Sequence, residues 1–419
     1  HNAGRLGKDL WTDGEDGEPI KLYAGFNEQD EARFIVEQIQ SWTDEGNPRK
    51  SSAILYRSNA QSRVIEEALV RVGLPYRIYG GQRFYERLEI RNALAYMRLI
   101  IGRGDDPALE RIINTPTRGI GSKTVDDLRA IARENNVSMW QAIGLAQQNG
   151  LLGSRARSSL AGFAALINEL DSETVELPLE EMVEHVIHRT GLIEFHKAEK
   201  GERGQARVEN LEELVSAAKT FRAEDDSLSP LQQFLDSAAL DAGDSQADPY
   251  EDSVQMMTLH SAKGLEFPLV ILAGLEENLF PHRMSVEEPG RLEEERRLAY
   301  VGITRAQQRL LITYAESRRL HGSETYNTPS RFVREIPADL IEEVRLHGGL
   351  TRPLADRLQQ PVAASNDSGL SLGQRVTHPM FGEGMVLNIE GRGANARIEV
   401  NFAEGSKWLV LQYANLQAL

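Results

Sequence analysis

The 419-residue sequence contains no cysteine and no apolar run long enough to span a membrane. Without thiols the chain cannot form a disulfide framework, a thiolate zinc site or a cysteine nucleophile. No signal peptide opens the sequence, so we expect a cytoplasmic protein without a membrane partner. The nine histidines are scattered without metal-site spacing. We therefore predict no metal ligands among them.

A phosphate-binding loop is also absent. Such a loop needs the pattern G-x-x-x-x-G-K-[ST], with a separate acidic residue for Mg²⁺. The nearest glycine clusters are Gly80-Gly81 and Gly119-Ile120-Gly121, and neither is followed by Lys-Ser or Lys-Thr at that spacing. The sequence predicts no complete ATP site of its own.

The charge distribution is uneven. With 47 basic and 63 acidic residues, the net charge is −16, which weakens a nucleic-acid hypothesis because phosphate binding depends on Lys and Arg. Acidic residues, however, are concentrated at 222–252 and 286–295, whereas basic residues gather at 55–91, 111–123 and 305–319. Because local patches govern binding, DNA remains a possible partner.

The length predicts several domains. Strand-like apolar runs occur at 20–26 and 53–56, then again at 254–259, 269–275 and 310–314. Amphipathic helices follow the first two runs, with Asn27 as a candidate N-cap and Gly73 as a candidate stop. Alternating strands and helices predict a parallel sheet covered on both faces.

The sheet is interrupted in sequence. Residues 79–250 show helical windows at 86–101, 124–134, 157–170, 179–189 and 208–221, with almost no strand pattern. We predict an all-helical insertion between two parts of one α/β domain, 1–78 and 251–345. A Pro- and Gly-containing linker follows at 346–370. Short glycine-punctuated strands at 371–419 predict a small five-stranded SH3- or Tudor-like barrel, a module that more often binds a partner than catalyses.

Two segments carry the most specific patterns. Residues 254–282 read as a strand, a glycine-turned loop and a second strand, VQMMTLHSAKGLEFPLVILAGLEENLFPH. Residues 292–315 read as a charged helix that ends at Thr304 and Arg305 and enters a third strand. Both resemble the fifth and sixth signature motifs of superfamily 1A DNA helicases of the UvrD, Rep and PcrA type. The order and spacing of two long motifs make coincidence improbable.

The resemblance extends from the first residues to the last and implies an architecture and an activity. It implies a RecA-like domain, 2A, split by a helical insertion, 2B, and followed by a Tudor-like domain. It also implies a 3′-to-5′ ATP-dependent helicase of nucleotide excision and mismatch repair. ATP with Mg²⁺ would be bound mostly by an N-terminal motor domain that is missing here, since the chain starts at His1 with residues similar to the middle of a helicase. We therefore expect a C-terminal portion that is inactive alone.

The resemblance assigns three residues to the nucleotide. Arg305 would be the arginine finger that stabilises charge on a transferring phosphoryl group when two domains close. Glu266 is similar to the residue that meets the ribose, and Gly264 would let the backbone approach the phosphates. The alternatives are a helix-end arginine and a surface carboxylate.

Other residues would contact DNA. Thr258, His260 and Lys263 share one loop and, by resemblance, touch single-stranded DNA, where strand-end loops can hold phosphates without reading bases. A second set of single-strand contacts is Arg57 and Asn59 in LYRSNAQSR, together with His321, which stands where relatives carry a base-stacking aromatic.

A glycine turn at 116–124 resembles a helix-hairpin-helix. Gly119 and Gly121 would expose backbone N–H groups at a helix start, and Arg118 and Lys123 flank them, which favours duplex contact. The alternative is a plain turn in which Ser122 is the N-cap.

Two other functions compete with this one. A helicase-nuclease of the AddA or RecB kind would append a nuclease domain with clustered acids and a lysine, whereas residues 371–419 read as a glycine-punctuated barrel. A motor-less adaptor that binds nucleic acid or RNA polymerase would leave the helicase loops unexplained. For the helicase itself, residues 371–419 suggest RNA polymerase or repair proteins as partners, in the cytoplasm with the nucleoid.

Overall fold

The computed structural model describes residues 17–199, 201–243, 250–288, 290–320, 323–344, 374–378, 381–390, 397–402, 405–410, 414 and 416–418. The chain divides into two compact units, His1–Ile341 and Glu342–Leu419. His321 and the predicted linker at 346–370 lie outside the described residues. None of the described helices is both long and apolar enough to cross a bilayer.

The first unit is built on a sheet whose first six strands pair in parallel. These strands are β1 (Ile20–Gly25), β2 (Ser52–Tyr56), β3 (Tyr76–Ile78), β4 (Val254–Thr258), β5 (Phe267–Leu272) and β6 (Ala306–Ala315). The spatial order is β3-β4-β2-β5-β6-β1. Every residue of the central strand β2 is buried, as expected for a parallel strand covered on both faces. The predicted α/β parallel sheet is confirmed.

Helices connect these strands. α1 (Glu28–Asp44) and α2 (Ser62–Arg71) follow the first two strands, whereas α12 (Arg283–Glu287) and α13 (Arg291–Ile303) lead into β6. Asn27 caps α1, because its side chain accepts from the Asp30 N–H at 2.9 Å. Gly73 ends the α2 turn with a φ of +68°, a conformation that glycine adopts without strain. Both predicted helix boundaries are confirmed.

An all-helical segment separates β3 from β4. Its described helices are α3 (Leu88–Ile101), α4 (Asp106–Ile112), α5 (Ser122–Asn135), α6 (Met139–Gln148), α7 (Ser154–Thr174), α8 (Leu179–Arg189), α9 (Leu192–Lys197), α10 (Glu202–Thr220) and α11 (Pro230–Gly243). They share an apolar core that includes Tyr96, Leu109, Phe163 and Leu211, all fully buried. The predicted helical insertion is confirmed. The predicted windows omitted four of the described helices, α4, α6, α9 and α11. Of these, α4 and α9 have only seven and six residues and show no long periodic face.

The first unit continues after β6 with a hairpin of β7 (Ser317–Leu320) and β8 (Ser323–Tyr326), and a short α14 (Arg331–Arg334). Strand β9 (Ile341–Val344) contains the boundary between the units.

The second unit contains five strands: β10 (Arg375–His378), β11 (Gly382–Glu390), β12 (Arg397–Phe402), β13 (Gly405–Val410) and β14 (Gln417–Ala418). They form one antiparallel sheet in the order β13-β12-β11-β10-β14. Val376, Val386, Ile398 and Val400 are fully buried at its core. The predicted five-stranded β domain is confirmed.

Candidate functional site

Two loops meet at the carboxyl ends of β2 and β4. The strands are parallel neighbours, and the Leu259 N–H extends their ladder by donating to the Tyr56 carbonyl at 2.9 Å. The segment 57–61 and the loop 259–266 therefore start side by side. In open parallel sheets, ligands bind at this edge.

The loop 259–266 is shaped by its own hydrogen bonds. Thr258 Oγ1 lies 3.1 Å from Ser261 Oγ, and the Leu265 N–H donates to the Ala262 carbonyl at 3.1 Å. Gly264 has a φ of +86° and open space where a Cβ would point, so the turn favours glycine. Thr258 thus stabilises the turn, which leaves the loop's outer residues free to face a ligand.

Three side chains project from this loop. His260, Lys263 and Glu266 are exposed, and the Glu266 carboxylate accepts from the Gln307 amide at 3.5 Å. Desolvation lowers the pKa of His260, and the positive charge of Arg57 lowers it further. His260 is therefore mostly neutral at pH 7, and Lys263 is the cation of the loop.

Arg305 joins this loop to the end of α13. Its guanidinium donates from Nη1 to the Leu265 carbonyl at 2.9 Å, from Nε to the Val301 carbonyl at 3.0 Å and from Nη2 to Thr304 Oγ1 at 3.0 Å. All three acceptors are neutral. Across the described ranges, Arg305 forms no ion pair with a carboxylate, so its positive charge is not compensated.

Arg57 is held differently. Its guanidinium forms a bidentate pair with the buried Glu295 of α13, at 2.8 Å from Nη2 and 3.0 Å from Nε. Burial raises the pKa of Glu295, but the hydrogen bonds and positive charge of Arg57, together with the N–H and charge of His282, outweigh burial and hold that pKa below its usual range. Sequence reasoning placed Arg57 on DNA, whereas the structure places its guanidinium against an internal carboxylate.

The segment after β2 is fixed to the helical insertion. The Asn59 carbonyl accepts from Arg87 Nη1 at 2.9 Å, and the same Nη1 donates to Asn210 of α10 at 2.9 Å. Ser58 donates to Glu209 of α10, which also lies 3.1 Å from His282 Nε2. Asn59 is partly exposed beside this network. Its backbone is anchored, and its side chain remains available to a ligand.

In the glycine turn at 116–124, one of the four predicted DNA contacts faces the protein and the other three are exposed. Arg118 points into the protein and donates to the carbonyls of Pro116 at 2.9 Å and Thr190 at 3.1 Å, so it stabilises the turn. Gly119, with a φ of +75°, and Gly121 and Lys123 are exposed.

The start of α5 lies at the end of this turn. The N-cap position is Gly121 and no side chain caps the helix, so the alternative of Ser122 as N-cap is wrong. The first N–H groups of α5 lack a side-chain partner, as a phosphate site at a helix N-terminus requires.

The hairpin β7–β8 leads toward position 321. Arg318 of β7 is buried and forms ion pairs with Glu31 of α1 and Glu276, which follows β5. These pairs fix the base of the hairpin to the sheet. No cluster of three or more potential metal ligands occurs in the ranges that the structure describes.

The comparisons with known proteins agree with this architecture. Residues 1–317 match the family model for the UvrD-like helicase C-terminal domain. The chain belongs to the UvrD-like helicase family. Residues 372–417 match the PcrA/UvrD tudor domain, so the second unit is Tudor-like. The resemblance drawn from the two motifs is confirmed.

Several UvrD-like relatives align over the whole chain. DNA helicase II of Escherichia coli (strain K12) is 55% identical over 422 residues, and that of Haemophilus influenzae (strain Rd) is 52% identical over 424 residues. ATP-dependent DNA helicase PcrA of Bacillus subtilis (strain 168) is 38% identical over 440 residues. The chain spans only 58–59% of the length of these relatives.

Sequence reasoning missed the carboxylates that fix the site of this UvrD-like chain. Glu295 lies 238 residues from Arg57, and Glu276 lies 42 residues from Arg318. Local spacing carries no signal for either pair. The one available hint is the run LEEERR at 292–297, in which Glu295 is the acidic residue that turns inward.

Proposed function

We propose that this chain is the part of an ATP-dependent DNA helicase that holds single-stranded DNA and supplies Arg305 to ATP. The nucleotide, with Mg²⁺, would be bound mostly by a P-loop domain whose motif this sequence lacks. In this proposal residues 1–78 and 251–345 are domain 2A, 79–250 is domain 2B and 371–419 is a partner-binding domain.

The observation that carries the proposal is the hydrogen bond from Arg305 Nη1 to the Leu265 carbonyl, 2.9 Å long. Leu265 lies between Gly264 and Glu266, on the same loop as His260 and Lys263. Residues proposed for the nucleotide and residues proposed for DNA therefore share one short loop, which Arg305 ties to α13. A change in the bound nucleotide can therefore alter the DNA contacts through this loop, and the reverse.

The electrostatics of Arg305 fit an anionic ligand. A guanidinium bonded only to neutral acceptors keeps its charge, and it can exchange those bonds for stronger ones to phosphate oxygens. ATP would supply the phosphoryl group. Arg305 would stabilise the charge on that group, Gly264 would allow close backbone approach, and Glu266 would accept from a ribose hydroxyl.

The residues proposed to contact DNA form two groups, one for single-stranded DNA and one for duplex DNA. Thr258, His260, Lys263 and Asn59 line the strand-end edge, where phosphates of a single strand can be held without base readout. His321, outside the described residues, joins them by resemblance. Gly119, Gly121 and Lys123 at the start of α5 would hold a duplex phosphate. Arg57 and Arg118 stabilise the segments that carry these contacts.

Polarity, pathway and partner belong to the same proposal. Relatives named DNA helicase II and PcrA support a DNA substrate. We assign 3′-to-5′ unwinding in nucleotide excision and mismatch repair from the resemblance of the two motifs. The Tudor-like unit has its own apolar core, which suits a recruitment module for RNA polymerase or a repair protein.

A chimera tests the proposal. The part of E. coli DNA helicase II that this chain does not match would be joined to residues 1–419. We expect the chain alone to release no phosphate from ATP, and the chimera to hydrolyse ATP with single-stranded DNA and unwind a 3′-tailed duplex. A 5′-tailed duplex is the matched control for polarity. A well-folded chimera without DNA-stimulated hydrolysis would favour the motor-less adaptor instead.

A further inference from the structure

Tyr79 is an exposed aromatic residue whose role the site described above does not include. It follows the last residue of β3, and 47% of its surface is exposed. In β3, Tyr76 and Ile78 are buried whereas Arg77 is partly exposed. Alternation along a strand places Tyr79 on the same face as Arg77, away from the buried face. The chain thus presents an aromatic ring to solvent beside a cation.

The position of Tyr79 is fixed by its backbone. Its N–H donates to the Met256 carbonyl at 2.8 Å, which continues the ladder in which Ile78 pairs with Met256 of β4. The next residue, Gly80, has a φ of +72°, and a Cβ placed on it would lie 3.7 Å from Ser261 Oγ. The end of β3 therefore lies against the loop that carries His260 and Lys263.

Three neighbouring strand ends consequently form one row. β3 contributes Tyr79, β4 contributes the loop 259–266 and β2 contributes Asn59. Lys263 supplies a positive charge for backbone phosphates, but neither the loop 259–266 nor the segment 57–61 contains a Phe, Tyr or Trp. Single-stranded DNA is held elsewhere by this combination of cations along the backbone and aromatic rings under the bases.

We propose that Tyr79 is a nucleobase-stacking residue at the β3 end of this row. The inference rests on the proposed single-strand site and extends it by one strand. It assigns a base contact to a segment in which the sequence analysis noted only the Gly80-Gly81 cluster. The competing role for the Tyr79 ring is contact with a protein surface, such as the P-loop domain. In that case, loss of the ring would not affect DNA with bases differently from abasic DNA.

The test measures binding of residues 1–419 to two labelled oligonucleotides by fluorescence anisotropy. One is an oligothymidine, and the other has the same length and backbone but only abasic sites. Tyr79→Leu removes the ring, whereas Tyr79→Phe keeps it. Phe195→Leu is the matched control, because Phe195 is an exposed aromatic, 36% accessible, on α9 of the helical insertion.

We expect Tyr79→Leu to weaken oligothymidine binding by about 5- to 100-fold, the range for loss of one stacked base. Tyr79→Phe and Phe195→Leu should bind as the unaltered chain does, and all variants should bind abasic DNA equally. Unchanged oligothymidine binding by Tyr79→Leu, or an equal loss on both oligonucleotides, would overturn the stacking role alone. If the unaltered chain binds neither oligonucleotide, the proposed single-strand site fails and this inference fails with it.

Discussion

Arg57 and Arg305 both stand at the edge of the sheet, and the sequence motifs suggest a ligand for each, yet their surroundings differ. Arg57 is paired with the buried Glu295. Among the residues that the structure describes, Arg305 donates to two carbonyls and a hydroxyl and pairs with no carboxylate. A guanidinium paired with a buried carboxylate is fixed within the protein, whereas one bonded to neutral acceptors can pair with an incoming anion. The comparison shows that the partners of an arginine, more than its motif, indicate its role.

The largest expected effect concerns Arg305. In the chimera, Arg305→Ala should lower kcat for DNA-stimulated ATP hydrolysis by about 10³-fold, the size of an arginine-finger effect. Steady-state phosphate release measures it. Arg297→Ala is the control, since Arg297 is an exposed residue of the same helix and pairs with the exposed Glu294. If the kcat of Arg305→Ala is within twofold of that of the unaltered chimera, Arg305 has a structural role and is not an arginine finger.

The second effect concerns Arg57 and is one of stability. Arg57→Ala leaves Glu295 buried without its partner, which should lower the free energy of unfolding by about 3–5 kcal/mol. Urea denaturation of residues 1–419 measures it. Arg297→Ala should change stability by less than about 1 kcal/mol, because both members of that pair are exposed. If both variants lose the same free energy of unfolding, Arg57 is not the structural arginine that its pair with Glu295 indicates.

The third effect separates Arg118 from Lys123. Lys123→Ala should weaken binding of a tailed duplex and reduce the slope of log affinity against log salt by about 1, as expected for one lost phosphate contact. Arg118→Ala should instead lower stability, because it removes bonds to the carbonyls of Pro116 and Thr190. A reduced salt slope for Arg118→Ala with unchanged stability would show that the arginine reaches DNA.

The smallest effect concerns the pH response of His260. Its pKa in the folded chain lies below the ordinary value of 6.5, so the unfolded chain takes up this proton first as pH falls. The contribution of His260 to stability is therefore present above pH 6.5 and decreases as pH falls through the lower folded-state pKa. His260→Gln should flatten the dependence of the urea midpoint on pH between 7 and 5. An unchanged dependence would contradict the lowered pKa.

Much of the fold was predictable from the sequence. Long apolar runs such as that of β5 and periodic helices such as α8 carry their own signal, and the gap between 78 and 254 exposed the helical insertion. The short strand β3 was missed, because three residues with one partly exposed Arg77 give no pattern. The hairpin β7–β8 was missed as well, since its buried Arg318 reads as a surface residue until its two carboxylate partners are seen.

The candidate site was predictable only as a set of loops. The patterns gave the positions of Thr258, His260 and Arg305, because each lies within a long motif. They did not give the direction of a side chain. Arg57 faces the protein because Glu295 is near it, and Arg118 does so because the Thr190 carbonyl is near it. Only tertiary packing brings these partners together.

We propose that Arg305 couples the nucleotide to DNA through the loop 259–266. The most direct measurement is the affinity of the chimera for single-stranded DNA with and without a non-hydrolysable ATP analogue, in the unaltered protein and in Arg305→Ala. We predict that the analogue changes the affinity of the unaltered chimera, and that Arg305→Ala loses this change while keeping its nucleotide-free affinity. An analogue-dependent change that persists undiminished in Arg305→Ala would contradict the account.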